Sequence, residues 1–230
     1  MDALPPIVLL HGWGGSFKAT WGAAGWVEAL EAAGRSIVRL DLPGHGGPAS
    51  HDPADYADMA GAVEAKLPDG VLDVVGFSLG AKLALAIATR RPGRFRRMVL
   101  GGVGDNLFAP EPQGAAVAAA LENGVGDDTP APVAGLVRYA LGSGGDPRAM
   151  AAVLRRPAGR LLVETDLARL PQALLVNGEA DAIALPDARL LAAAPSLEAM
   201  RPPAVDHLSL PSAPAFKAAA LAFLNSGTHS

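Results

Sequence analysis

Short runs of aliphatic and β-branched residues alternate with Ala/Leu-rich stretches of helical length through most of this chain. That rhythm constrains the fold more than any other feature. Short runs of three to five mainly apolar residues read as strands of a largely buried sheet, and parallel strands need a crossover that the intervening stretches supply as helices. The runs at 7–10, 37–40, 71–75, 98–100, 173–176 and 197–200 are the expected strands. Helices are expected near Trp21 to Leu30, stopped by Gly34, and over 54–67, 81–89, 161–170, 186–194 and 214–224. Between 106 and about 159 the rhythm breaks. That stretch is rich in Gly, Pro and Ala, offers no strand, and allows three helices at 113–122, 132–141 and 147–154. An insertion of this kind suggests a lid over the C-terminal edge of the sheet, where open α/β sheets bind ligands. The expected organisation is an α/β core from 1–105 and 160–230 with a helical cap at 106–159.

Composition removes several functions. The absence of cysteine excludes disulfides, thiolate metal sites and a cysteine nucleophile. No apolar run approaches the roughly 18–20 residues that cross a membrane. The first residues, Met1 to Pro6, carry no basic segment and predict no signal peptide, so a cytoplasmic, membrane-free protein is expected. Net charge is −4, and the one basic run, Arg90 to Arg97, reads as helix C-terminal charge followed by a solvated turn rather than a nucleic-acid surface.

The chemistry concentrates at strand ends. Gly76-Phe77-Ser78-Leu79-Gly80 lies between an expected strand and helix, the setting in which G-x-S-x-G makes a nucleophile elbow. The turn puts Ser78 at a helix N-terminus, where free N–H groups can stabilise an oxyanion. A serine needs a base in reach and an acid to orient it, and after such an elbow the acid comes first, then the histidine. Two histidines follow, His207 after the last strand and the penultimate residue His229, and His207 is the expected base. Asp181, in Asn177-Gly178-Glu179-Ala180-Asp181, is the expected acid. Asp105 is its rival because it also follows a strand, while Glu179 and Asp206 have weaker claims. The glycines of His11-Gly12-Trp13-Gly14 allow a close backbone approach, so the N–H groups of Trp13 and Leu79 are the expected oxyanion donors. His11 and His45 lack partners at metal-ligand spacing and read as structural, and Trp21 and Trp26 read as core.

Together, Leu9 to Gly14, Asp41 to Gly46, Gly76 to Gly80, Gly178 to Asp181 and Asp206-His207 resemble the α/β-hydrolase family, and within it the sequence is similar to small carboxylesterases. The resemblance implies a mostly parallel sheet of about six strands flanked by helices, with a helical cap. It implies acyl transfer from a small ester or thioester by Ser78, His207 and Asp181, without metal or organic cofactor. The pocket would be lined by Trp13, Phe77, Leu107, Phe108 and Tyr139, with Val117, Leu121, Leu136 and Val137 also available. Arg138, Arg155 and Arg156 could hold a substrate carboxylate. The same fold and triad also serve C–C cleavage, elimination and perhydrolysis, and a receptor could retain the scaffold. Family members usually carry antiparallel strands ahead of the His-Gly loop. Only six residues precede the first strand here, so the sheet is expected to be trimmed, leaving an exposed edge that favours a dimer; a monomer or a homodimer is expected.

Overall fold

Ile7–Leu10 is buried along its whole length, with Ile7 and Leu9 facing one apolar layer and Val8 and Leu10 the other. This two-sided burial sets the architecture, because successive side chains of a strand point to opposite faces. The structure, a computed structural model, describes residues 4–226. Its sheet contains β1 (Ile7–Leu10), β2 (Ile37–Arg39), β3 (Leu72–Phe77), β4 (Phe95–Gly101), β5 (Gln172–Val176) and β6 (Leu197–Met200). All six strands are parallel, in the order β2-β1-β3-β4-β5-β6. Leu10 pairs with Gly76, Phe77 with Gly101, and Gly101 with Val176, so these strands finish together along one edge. The chain leaves β1 for β2 on one side and returns to β3 on the other. This reversal opens the crevice where sheets of this type place their sites.

The helices among the described residues are α1 (Trp26–Ala32), α2 (Met59–Glu64), α3 (Leu79–Arg90), α4 (Gly114–Asn123), α5 (Ala131–Gly142), α6 (Pro147–Leu154), α7 (Glu164–Leu167), α8 (Ala188–Ala193) and α9 (Pro214–Asn225). Trp26 of α1 and Phe216 and Leu224 of α9 cover the face carrying Ile7, Leu9, Val75, Phe77 and Val99. Trp21 and Trp26 meet edge to face at 5.0 Å within this layer. Side chains of α2, α3, α7 and α8 cover the opposite face. Helices α4, α5 and α6 pack on one another, with a small apolar centre at Val117, Ala120, Val133 and Val137. No helix of the described residues is long and apolar enough to cross a membrane.

Four local expectations are corrected. The helix expected over 54–67 is a short 3-10 turn, Pro53–Tyr56, followed by α2. Two aspartates start these separately, Asp52 accepting the N–H of Ala54 and Asp58 that of Gly61. The stretch 161–170 holds only the single turn α7, and the stretch around Trp21 and Trp26 divides at Gly25, whose φ is 68°. The basic run is only partly a solvated turn. Phe95 already belongs to β4, so Arg96 and Arg97 lie in the sheet, and Arg96 reaches the buried carboxylate of Asp73. His229 lies outside the described residues.

Candidate active site

Ser78 is the single residue between β3 and α3, and it turns the chain at φ 51° and ψ −114°. The residues two before and two after it must lack side chains for steric reasons. A Cβ at Gly76 would lie 2.8 Å from the backbone of Gly80 and Ala81, and one at Gly80 would lie 2.2 Å from the Leu10 carbonyl oxygen. The Ser78 N–H donates to the Gly101 carbonyl at 2.8 Å, which fixes the turn against β4.

Two loops from neighbouring strand ends complete the arrangement. His207 follows β6 and places Nε2 3.0 Å from Ser78 Oγ. Its Nδ1 lies 2.9 Å from Asp181 Oδ2 and 3.1 Å from Oδ1. Asp181 follows β5 and is fully buried, and its Oδ1 also accepts the N–H groups of Ile183 at 3.0 Å and Ala184 at 2.8 Å. An ionised carboxylate only accepts, so Nδ1 carries the proton and Nε2 is left to accept from the serine hydroxyl. The Phe77 ring packs on the imidazole, 5.0 Å between centroids.

The other acids lie elsewhere. Asp105 accepts the N–H of Leu190 at 2.9 Å and so caps the first turn of α8. Asp206 turns away and binds Ser209, whose hydroxyl and N–H hold its carboxyl below the usual range. Glu179 is exposed.

The loop after β1 comes up to Ser78 from the opposite side. A Cβ on Gly12 would sit 3.3 Å from that of Ser78. The backbone N–H groups of Trp13 and Leu79 have no acceptor among the described residues. Histidines shape this loop. His45 Nε2 accepts the Gly14 N–H at 2.9 Å, and His11 Nε2 accepts the Leu42 N–H at 3.0 Å. Burial, aided by the nearby His11, pushes the His45 pKa down to about 4, so its ring is neutral and free to accept.

A cavity of about 220 Å³ opens above Ser78 and His207, between the sheet edge and the helices α4 and α5. Trp13, Phe77 and Tyr139 line it, as do Val117 and Leu136. The Trp13 indole N–H donates to the Met150 carbonyl of α6 at 3.0 Å and ties that helix to the β1 loop. Leu107 and Phe108, expected in the wall, belong instead to the core beneath α8. Their 3-10 turn, Asp105–Phe108, is pulled that way by the Asp105 cap, and the Arg189 guanidinium stacks on the Phe108 ring at 4.2 Å. Leu121 and Val137 pack among the inserted helices. Arg155 pairs with Glu122, Arg156 donates to the Val153 carbonyl, and neither these nor Arg138 is among the cavity-lining residues. The charged side chains that do line it are Lys82 and Glu111. The signal for Lys82 was present in the sequence, since a residue four beyond the elbow serine shares its face of the following helix.

Residues 7–220 match the family described as the alpha/beta hydrolase family. A pimeloyl-[acyl-carrier protein] methyl ester esterase of Aromatoleum aromaticum is 36% identical over 152 residues, 63% of this chain and 58% of that protein. A 2-hydroxy-6-oxononadienedioate/2-hydroxy-6-oxononatrienedioate hydrolase of Cupriavidus pinatubonensis is 35% identical over 123 residues, 46% of this chain and 39% of that protein. The matched region is thus under two thirds of the length of either relative. Among solved structures, NosK from Streptomyces actuosus superposes with a TM-score of 0.68 at 25% identity, covering 96% of this chain and 97% of that one. With the family matched from β1 to α9 and the fold shared along nearly its whole length, this chain belongs to the alpha/beta hydrolase family.

Proposed function

We propose that the protein is a serine hydrolase that cleaves a small carboxylic ester or thioester through an acyl-enzyme. The observation that carries this reading is the continuous hydrogen-bonded run from Ser78 Oγ through His207 to the buried Asp181 carboxylate. Ser78 Oγ attacks the acyl carbonyl while His207 Nε2 takes its proton, and Asp181 steadies the imidazolium that forms. The N–H groups of Trp13 and Leu79 donate to the oxyanion. His207 then returns the proton to the departing alkoxide or thiolate, and afterwards deprotonates the water that releases the acid. The chemistry as written calls on no metal or organic cofactor. Residues 106–159 act as the cap, and the mainly apolar walls at Val117, Leu136 and Tyr139 suit a small acyl group. The reaction belongs in the cytoplasm, on a small-molecule substrate, with the protein working as a monomer or a homodimer. A second reading, C–C bond hydrolysis by the same three residues, is favoured by the relative named for an oxononadienedioate.

The test is a fluorophosphonate probe with mapping of the labelled residue, alongside turnover of p-nitrophenyl acetate and butyrate. Labelling of Ser78 with rapid ester turnover is expected, and Ser78→Ala should lower turnover by about 10³-fold or more. A folded protein that takes no label would sink both readings, since each needs an activated serine. Labelling with no ester turnover would favour the second.

A further inference from the structure

Lys82 lies one helical turn beyond Ser78, its backbone N–H donating to the Ser78 carbonyl at 3.0 Å. Its side chain lines the same cavity and is only 17% exposed. There Nζ donates to Glu111 Oε1 at 3.0 Å, and Glu111 comes from the segment that leads into α4. Apart from His207, these are the charged or titratable acid and amine side chains of the cavity wall among the described residues.

We propose that the Lys82 ammonium is a recognition point for a carboxylate on the substrate, with Glu111 its resident counter-ion in the empty pocket. The inference rests on the serine-hydrolase reading and names the substrate class of that site: half-esters of short dicarboxylic acids. Three features support it. Glu111 belongs to a loop and is 39% exposed, so it can swing into water when another carboxylate arrives, whereas Lys82 is anchored on α3 and largely covered. The ammonium already favours a carboxylate in its ionised form. Burial works to raise the Glu111 pKa, yet Lys82, with Arg156 and His207 further off, outweighs it and holds the carboxyl below its ordinary range. Ser78 and Lys82 also line one cavity of about 220 Å³ with their backbones a single helical turn, about 6 Å of rise, apart, so a ligand that meets both side chains must be short. A charge-assisted bond to a covered ammonium is stronger and more directional than one formed in water.

The experiment compares two esters of equal shape, monomethyl glutarate and its neutral amide analogue methyl 4-carbamoylbutanoate, and reads the ratio of kcat/KM within each protein. Wild type should favour the anionic ester about tenfold, through KM rather than kcat. Lys82→Met should abolish the preference, Lys82→Arg should keep it, and Glu111→Gln should increase it by removing the competitor. A wild-type ratio near one, or a preference that survives in Lys82→Met, would overturn the proposal and leave the pair as a clasp between α3 and the inserted helices. If wild type turns over neither ester, the hydrolase reading is what fails. The same two molecules are then titrated against tryptophan fluorescence. Trp13 lines the pocket while Trp21 and Trp26 are fully buried in the layer around α1 and α9. Equal affinity for the two would still refute the carboxylate site.

Discussion

At φ 51° and ψ −114°, Ser78 occupies backbone space that a side chain disfavours, a strain on the order of 1–3 kcal/mol. The bond from its N–H to Gly101 and the start of α3 impose it, and the result is an Oγ held proud of the sheet edge. This much was legible in the sequence, because glycines two before and two after a serine leave room for nothing else. His45 was read as structural, and its task as an acceptor for Gly14 follows only from the folded loop. It makes a pH prediction. Above pH 6.5 the ring is neutral in both the folded and unfolded chain, and full stability is present. As pH falls, the unfolded chain takes up a proton that the buried ring refuses until about pH 4, so stability is lost through that window. The loss should be on the order of 3 kcal/mol. His45→Gln keeps an acceptor for the Gly14 N–H but cannot titrate. Urea unfolding at stepped pH should show a total loss between pH 7 and pH 4 smaller by that amount, and an identical loss would mean that His45 is not the group responsible.

Element boundaries were less legible than elements. All six strands were found within a few residues, the central four because burial leaves a clear apolar run and the half-exposed edge strands β2 and β6 because the alternation with helices required them, but the helix expected at 54–67 was two pieces. Asp52 and Asp58 each begin one, and alternation of apolar residues cannot distinguish a long helix from two capped turns. The same blindness affected the acids after β4 and β5. Both follow strands, and sequence alone kept Asp105 beside Asp181. In three dimensions Asp105 serves an element, the first turn of α8, whereas Asp181 serves His207. Asp105→Ala should therefore cost about 1 kcal/mol of stability, seen as a lower urea midpoint, without changing turnover per folded molecule. Asp181→Asn should preserve the fold but cut kcat by about 10³-fold or more, because an amide can present an N–H to Nδ1 and favour the wrong tautomer. The opposite pattern of kcat losses would transfer the acid role to Asp105.

On the scale of the whole molecule, Ser78, His207 and Asp181 gather at one edge of the sheet while its integrity is secured at the other. Asp73, near the start of β3, is wholly buried, and its carboxylate accepts from Arg35 at 2.5 Å and from Arg96 Nε at 3.0 Å. The same two arginines donate to the Leu224 carbonyl at 3.3 and 2.8 Å, so one cluster joins the entry to β2, the strands β3 and β4, and the end of α9. The sequence hid this. Arg96 sits in a basic run beside Pro92 and Gly93, which look like a turn, and its partner is 23 residues away. Removing one member of a buried ionic group leaves the others charged and unpaired, at about 3–5 kcal/mol. Asp73→Asn should lose stability of that size, with the α9 amides exchanging faster in hydrogen-exchange measurements. Five residues of strand, roughly 16 Å, separate Asp73 from Ser78. Fluorophosphonate labelling of the folded variant at low temperature should therefore proceed at the wild-type rate. Slower labelling in a variant still fully folded would show that the two ends of the sheet are coupled, and that the cluster tunes the elbow as well as holding the layers together.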